Sequence, residues 1–239
     1  MKANSNSEST ILVNEQSEVF VVHSESEPMC RIPPRQEPLE QAFVLAFDAL
    51  FSKQPSSEKL KTLGADLRQG MIRLPVFGQE LTVNLANREV LVGNKGRAKC
   101  KVALLVLHYL CADNTDLDAR EVSLNHFADC RTYYSVFEKR IISRFLATIG
   151  RTREQFEQSS EHLYGIRTTG VGAAYRFDIL PRVPIIVVRY DEDDEFGPSA
   201  NIIYRADAGY LLPAEDRIVA AELLLDAMSG KPLEEGSKD

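Results

Sequence analysis

Apolar residues recur along this chain in two periods, and each period predicts its own kind of element. Between Pro38 and Ser52, Phe43, Phe47, Leu50 and Phe51 fall at helical spacing with Val44 beside them, which predicts a helix opening at Pro38 with an aromatic stripe toward the core. Lys53 to Lys61, interrupted by Pro55, reads as a turn leading into a short segment around Leu60 to Leu67. From residue 70 the period drops to two. Met71 to Gly78 is extended and interrupted at Pro75, and Leu81, Val83 and Leu85 then alternate with polar neighbours. Asn87-Arg88 turns the chain into a second strand, Glu89 to Val92, so a hairpin is expected.

Ala98 to Ala112 returns to helical spacing. It is apolar around most of its circumference through Val102, Leu104 to Leu107, Tyr109 and Leu110, the pattern of a central helix. Phe137, Ile141, Phe145 and Ile149 repeat every four residues in a second long helix, Tyr133 to Ile149. Gly150 ends it, and Thr152 caps a third helix running toward Leu163. Gly165 to Phe177, with Gly170 and Gly172, reads as loop. Pro181 and Pro184 introduce the β-branched run Ile185 to Val188, a buried strand over 183–190, and Asn201 to Tyr204 is a second strand of the same sheet. A last helix begins at Pro213, carries Glu215 and Asp216 in its first turn where they suit the helix dipole, and stops at Gly230.

Strands and helices do not alternate as a doubly wound sheet requires. The expected fold is α+β: a mixed or antiparallel sheet packed against several helices, one of them central and apolar. The expected domains are a flexible N-terminal arm (1–37) with a short strand near Ile11 to Val22, a single α+β domain (38–229) and a frayed C-terminal tail (230–239).

Composition narrows the function classes. The 239 residues, 44 % of them hydrophobic, suffice for a substantial core. Lys and Arg number 28 against 35 Asp and Glu, a net charge of -7, and no basic stripe is interleaved with aromatics, which argues against a nucleic-acid partner. No run approaches eighteen apolar residues, so no membrane span is expected, and the polar Met1 to Thr10 does not resemble an export signal. Cys30, Cys100, Cys111 and Cys130 are spaced neither as zinc pairs nor as an iron–sulfur run. They read as free thiols of a cytoplasmic protein without an internal iron–sulfur cluster.

The most conspicuous chemistry is five consecutive acids, Asp191 to Glu195, delivered by the β-branched strand. Three readings stay open. The run is a solvated loop; or, if extended, it places Asp191, Asp193 and Glu195 on one side as half of a divalent-cation site; or crowding raises one carboxyl for acid–base work with Asp178 or His108 as companion. Elsewhere, Gly93 to Arg97 is either a flexible basic turn or an anion cradle at a helix start. His108 and Cys111 lie three apart on the central helix, as a core histidine and a buried thiol or as ligands. His126 and Cys130, if helical, share a face and with His108 suggest zinc. Arg131 and Tyr134 offer a cation and a phenol, and Arg176 with Asp178 reads as a structural pair.

A further set of segments carries a resemblance. The helix Leu104 to Leu110 with His108-Tyr109-Leu110, then Tyr134 to Phe137, Leu180 to Pro184, Asp194-Glu195-Phe196, Ala200-Asn201-Ile202 and Leu212 to Asp216 together resemble the DUF3786 family over roughly 40–229. That family carries no established activity. Some of its prokaryotic members are joined to ferredoxin-like cysteine regions, which implies redox or cofactor maintenance and a redox or iron–sulfur partner. The expectation is therefore a soluble domain that binds a small molecule or cofactor, with a pocket bordered by Arg131, Tyr134, Asp178, Asp194, Glu195 and Asn201. Arg131 would orient an anionic group, and Asp194 and Glu195 would accept donors or bind a cation. The alternatives are an enzyme using Asp194 or Glu195 as base or metal ligand, and an assembly protein docking a basic partner through the acidic loop.

Overall fold

A computed structural model describes residues 11–13, 19–21 and 37–236. The chain divides into two units, Met1–Glu37 and Pro38–Asp239. In the first, β1 (Ile11–Val13) and β2 (Val19–Val21) pair antiparallel, Ile11 opposite Val21. The expected flexibility of the rest of the arm falls outside the described residues.

The second unit opens with α1 (Glu37–Lys53) and α2 (Ser57–Thr62). Phe47 and Leu50 of α1 are buried as the stripe predicts, while Arg88 stacks its guanidinium over Phe47 and Phe51. Four strands follow, β3 (Asp66–Arg68), β4 (Met71–Val76), β5 (Gln79–Asn84) and β6 (Glu89–Val92), in an antiparallel sheet of that order. Ile72, Leu74 and Val76 point inward and their neighbours outward, the alternation read from the sequence. At the β4–β5 turn both Phe77 and Gly78 have positive φ (49° and 72°), the mirror-image turn that matches strand twist. The Phe77 N–H donates to the carbonyl of Ile179 at 3.0 Å and so stitches this sheet to the next.

After α3 (Cys100–Leu110) come β7 (Glu121–Ser123), 3-10 turns at Leu124–His126 and Ala128–Tyr133, and a helical rod built of α4 (Tyr134–Phe137), a wider π-helical segment (Glu138–Ile142) and α5 (Ser143–Ala147). A stripe every fourth residue drifts by about 40° per step around an ideal α-helix. The wider π turn counters that drift, and Phe137, Ile141 and Phe145 all stay buried. Thr152 caps α6 (Arg153–His162), its hydroxyl accepting from the Gln155 N–H.

The second sheet is antiparallel in the order β7, β11, β10, β9, β8, formed with β8 (Ile166–Arg167), β9 (Ala173–Leu180), β10 (Val183–Tyr190) and β11 (Ser199–Arg205). The expected loop over Gly165 to Phe177 is corrected here, because β9 sits between two strands and its backbone pairs on both sides. Tyr175, Phe177 and Ile179 face inward while Arg176 and Asp178 face out. The glycines before it hid that alternation. The chain then passes through α7 (Ala208–Leu211) into α8 (Ala214–Met228). The α+β class holds, with antiparallel sheets.

Helices α3 and α8 pack against each other in the core. Their junction carries charge as well as apolar side chains: Lys101 meets Glu222 at 3.1 Å, and Arg140 reaches both Glu222 (2.5 Å) and Glu215 (2.9 Å). Burial by itself would raise the Glu222 carboxyl, but Arg140 and Lys101 hold it below the usual range. Nor does the tail fray at Gly230. Leu233 is buried, the Lys99 N–H donates to its carbonyl, and the Glu235 N–H donates to Arg97, both at 2.8 Å. An apolar anchor and unpaired backbone groups beside β6 account for the docking.

Candidate functional site

The acidic run emerges from β10 onto the surface, and every residue from Asp191 to Pro198 is exposed. It is not extended. The Asp193 carboxylate accepts from the N–H groups of Glu195 (2.9 Å) and Phe196 (2.8 Å), and the Asp193 N–H donates back to the Phe196 carbonyl. Asp191 turns the other way, to Arg153 at 2.9 Å and to the buried Arg189. The expected half-site of Asp191, Asp193 and Glu195 on one side is therefore corrected: repulsion and local backbone bonding splay the carboxylates. Among the described residues no three His, Cys, Asp or Glu side chains gather closely enough to hold a metal ion.

The other candidates are scattered. Asp178 pairs with Arg176 at 2.9 Å on the outer face of β9, half exposed, as a surface pair. Asn201 lies on β11 opposite Val188. Arg131 is exposed on a 3-10 turn, and Tyr134 packs against the core beside Phe137. The concave surface that holds Asp178 is lined by Phe77, Leu163, Tyr164, Ile166, Arg176 and Phe177, and not by Asp194, Glu195, Arg131, Tyr134 or Asn201. His126 and Cys130 lie on 3-10 turns rather than on one helix, and Cys130 is buried against the Arg217 guanidinium at 3.2 Å.

His108 has a different setting. It stands in the last turn of α3, and its Nδ1 lies 2.6 Å from Oδ2 of Asp216 in the first turn of α8. A carboxylate only accepts, so Nδ1 carries the proton and Nε2 is the ring nitrogen left open. His108, but not Asp216 behind it, borders a cleft of about 400 Å³ lined also by Lys53, Cys111, Asp113, Asn114, Asp129, Tyr210 and the residues just before α8. Asp216 is 11 % exposed and His108 34 %, so the pair is buried at the carboxylate end and open at the imidazole end.

Two further ion pairs set the walls. Lys53, at the end of α1, donates to the Cys111 carbonyl (2.8 Å) and to both oxygens of Asp113 (2.6 and 2.7 Å), which closes the C-terminal end of α3. Arg217 has no exposed side-chain area. Its guanidinium donates to the Leu212 carbonyl at 2.6 Å and to Asp129, and it lies 4.4 Å from the Phe127 ring centroid. The loop before α8 is thus held from below by a buried cation, and the cleft rests on a braced floor.

These contacts tune the titrating groups. The hydrogen bond to Asp216 raises His108 above its ordinary value, burial opposes that, and the carboxylate charge adds to it. Burial pushes the Cys111 thiol up, although Lys53 and Lys59 pull it down. The hydrogen bonds from Lys53 hold Asp113 below the usual carboxylate range. The cleft therefore offers an imidazole oriented by a carboxylate, beside a protonated thiol.

Sequence reasoning named His108 but not Asp216, Lys53, Asp129 or Arg217 as its surroundings. On sequence alone the helix dipole accounts for Asp216 and a turn for Lys53. The usable signal is the Asp216-Arg217 pair directly before the apolar run Ile218 to Ala221, because charges next to a core stripe need partners.

The fold and cleft define an α+β domain of two antiparallel sheets, with a polar pocket where two core helices meet. Within that class the chain belongs to the family described as "Domain of unknown function (DUF3786)", whose model matches residues 57–227. His108, Cys111, Asp129, Asp216 and Arg217 lie inside the matched span, and Lys53 lies before it. No curated protein and no solved structure matches the chain.

Proposed function

We propose that this protein is a small-molecule-binding domain whose ligand occupies the cleft at His108. The observation that carries this reading is one concave surface of about 400 Å³, within the range of ligand sites, that brings together an imidazole oriented from behind by Asp216, the Cys111 residue, the Lys53–Asp113 ion pair and Asp129, itself held by the buried Arg217. A depression of similar size on the four-stranded sheet is lined by Asp66, Arg68, Arg73 and Glu80, and there Asp66 and Arg68 pair with each other on the surface. The depressions on the outer face of the second sheet are smaller, about 190 and 180 Å³. The ligand is a small polar molecule that exchanges hydrogen bonds with Nε2 of His108 and with Asp129. We also assign the protein to the cytoplasm, supported by the free state of Cys100, Cys111 and Cys130.

The test is a titration with a panel of small carboxylates, phosphates, amines and nucleosides, followed by NMR of the histidine rings and backbone amides. Saturable shifts at His108, Cys111 and Tyr210 that vanish in His108→Gln are the expected result. Saturable shifts confined to the outer face around Arg176, or a panel that leaves the cleft unmoved, would overturn the proposal.

A further inference from the structure

The arrangement at the cleft goes beyond holding a ligand. We infer that His108 is a general base that activates water to hydrolyse a small ester bound in the cleft, with Asp216 as its positioning residue. This rests on the cleft being the binding site.

Three features of the geometry lead there. Asp216 engages Nδ1 from the buried side, which fixes the ring orientation and leaves Nε2 as the open ring nitrogen of a residue that lines the cleft. The imidazole is one-third exposed and the cleft is open, so water reaches the base; abstraction of a proton from carbon would instead call for a site closed to water. Cys111 is the nearest alternative nucleophile, one turn along α3, but its thiol is raised by burial and makes no hydrogen bond to His108. Water is thus the better-placed nucleophile.

In the reaction, Nε2 takes a proton from water as the water oxygen bonds to the acyl carbon, and the carbonyl π pair moves onto its oxygen. Collapse of that adduct breaks the ester C–O bond, and the leaving oxygen takes the proton back from the imidazolium. Lys53 directs its hydrogens at Cys111 and Asp113, so the tetrahedral oxygen is left to solvent. The acceleration is then that of a positioned base, roughly 10²–10⁴-fold. The charged and titratable groups around the imidazole are Asp216 from α8, Lys53 from α1, Cys111 and Asp113 at the end of α3, Asp129 and Tyr210.

The experiment measures hydrolysis of p-nitrophenyl acetate by the full chain between pH 5.5 and 9. His162→Gln, which removes an exposed imidazole at the end of α6, is the control and retains the wild-type rate. His108→Gln is expected to lose at least tenfold. Asp216→Asn is expected to lower the rate and move the pH midpoint downward, because the hydrogen bond that raises His108 is weakened; a merely structural role would lower the rate with the midpoint unmoved. Circular dichroism of each variant identifies any that fail to fold, and mass spectrometry of the protein quenched during turnover finds no acetyl group on Cys111 if water is the nucleophile. Equal rates in wild type and His108→Gln, or an acetyl group trapped on Cys111, would refute the assignment. If hydrolysis fails while the ring of His108 still shifts with a panel ligand, catalysis falls and the binding site stands.

Discussion

The acidic loop and the His108 cleft are opposite ways of placing charge. In the loop, five exposed carboxylates adjacent in sequence gather at no common site: Asp191 and, at 3.6 Å, Glu192 face Arg189, Asp193 closes its own turn, and Asp194 and Glu195 are left to solvent. In the cleft, two residues 108 positions apart meet at 2.6 Å with the carboxylate buried. Density of charge along a chain keeps a segment in water, where carboxylates repel and solvate. Convergence needs separate elements to hold each group, because only packing can offset the cost of removing a charge from water.

The largest expected effect lies beneath the cleft. Arg217→Ala opens a cavity beside Phe127 and leaves the Leu212 carbonyl without its donor, while the half-exposed Asp129 turns to water, so urea unfolding should report a loss of about 2–4 kcal/mol. A loss under about 1 kcal/mol would mean that the buried charge is not what holds the loop before α8.

Asp191 tests the boundary of the contrast, since of the acidic run it is tied most closely into the fold, through Arg189 and Arg153. Asp191→Ala leaves Arg189, 3 % exposed, with the Gly150 and Arg151 carbonyls and the more distant Glu192. The expected cost is about 1–2 kcal/mol, toward the lower figure because Asp191 is 45 % exposed.

The His108–Asp216 pair should show itself through pH. His108 titrates higher in the folded protein than its ordinary value of 6.5, so its contribution to stability is fully present below about pH 6.5 and is lost as pH rises through the folded value. Asp216→Asn should cost about 1 kcal/mol at pH 6, discounted for the partly exposed ring, and less at pH 8.5. A penalty that grows with pH would reverse the sign and the assignment.

The smallest effect belongs to the free end of the loop. Asp194→Asn combined with Glu195→Gln should leave the urea midpoint and the cleft titration unchanged, whereas Asp193→Ala should speed amide exchange at Glu195 and Phe196. A loss of cleft binding in the double variant would erase the distinction between the two regions.

Much of the fold was legible. The stripe of Phe43, Phe47 and Leu50, the alternation through Leu81 and Val83, the all-round apolar α3, the Thr152 cap and the β10 strand follow from local rules of periodicity and capping, and each element formed as its own residues dictated. β9 was concealed because Gly170 and Gly172 suggested loop, while its pairing on both sides is a tertiary fact. The docking of Leu233 beside Arg97 is likewise a contact between distant segments.

By itself, then, the order of residues determined where helices and strands begin, which faces are apolar, and that His108 sits on a core helix near Cys111. It did not determine that Asp216 arrives at that imidazole, that Lys53 closes the end of α3, or that Arg217 lies under the loop. Those depend on how α1, α3 and α8 pack. The reason is one of range: hydrophobic periodicity acts within a few residues, whereas a site built from opposed charges exists only once remote elements have excluded the water between them.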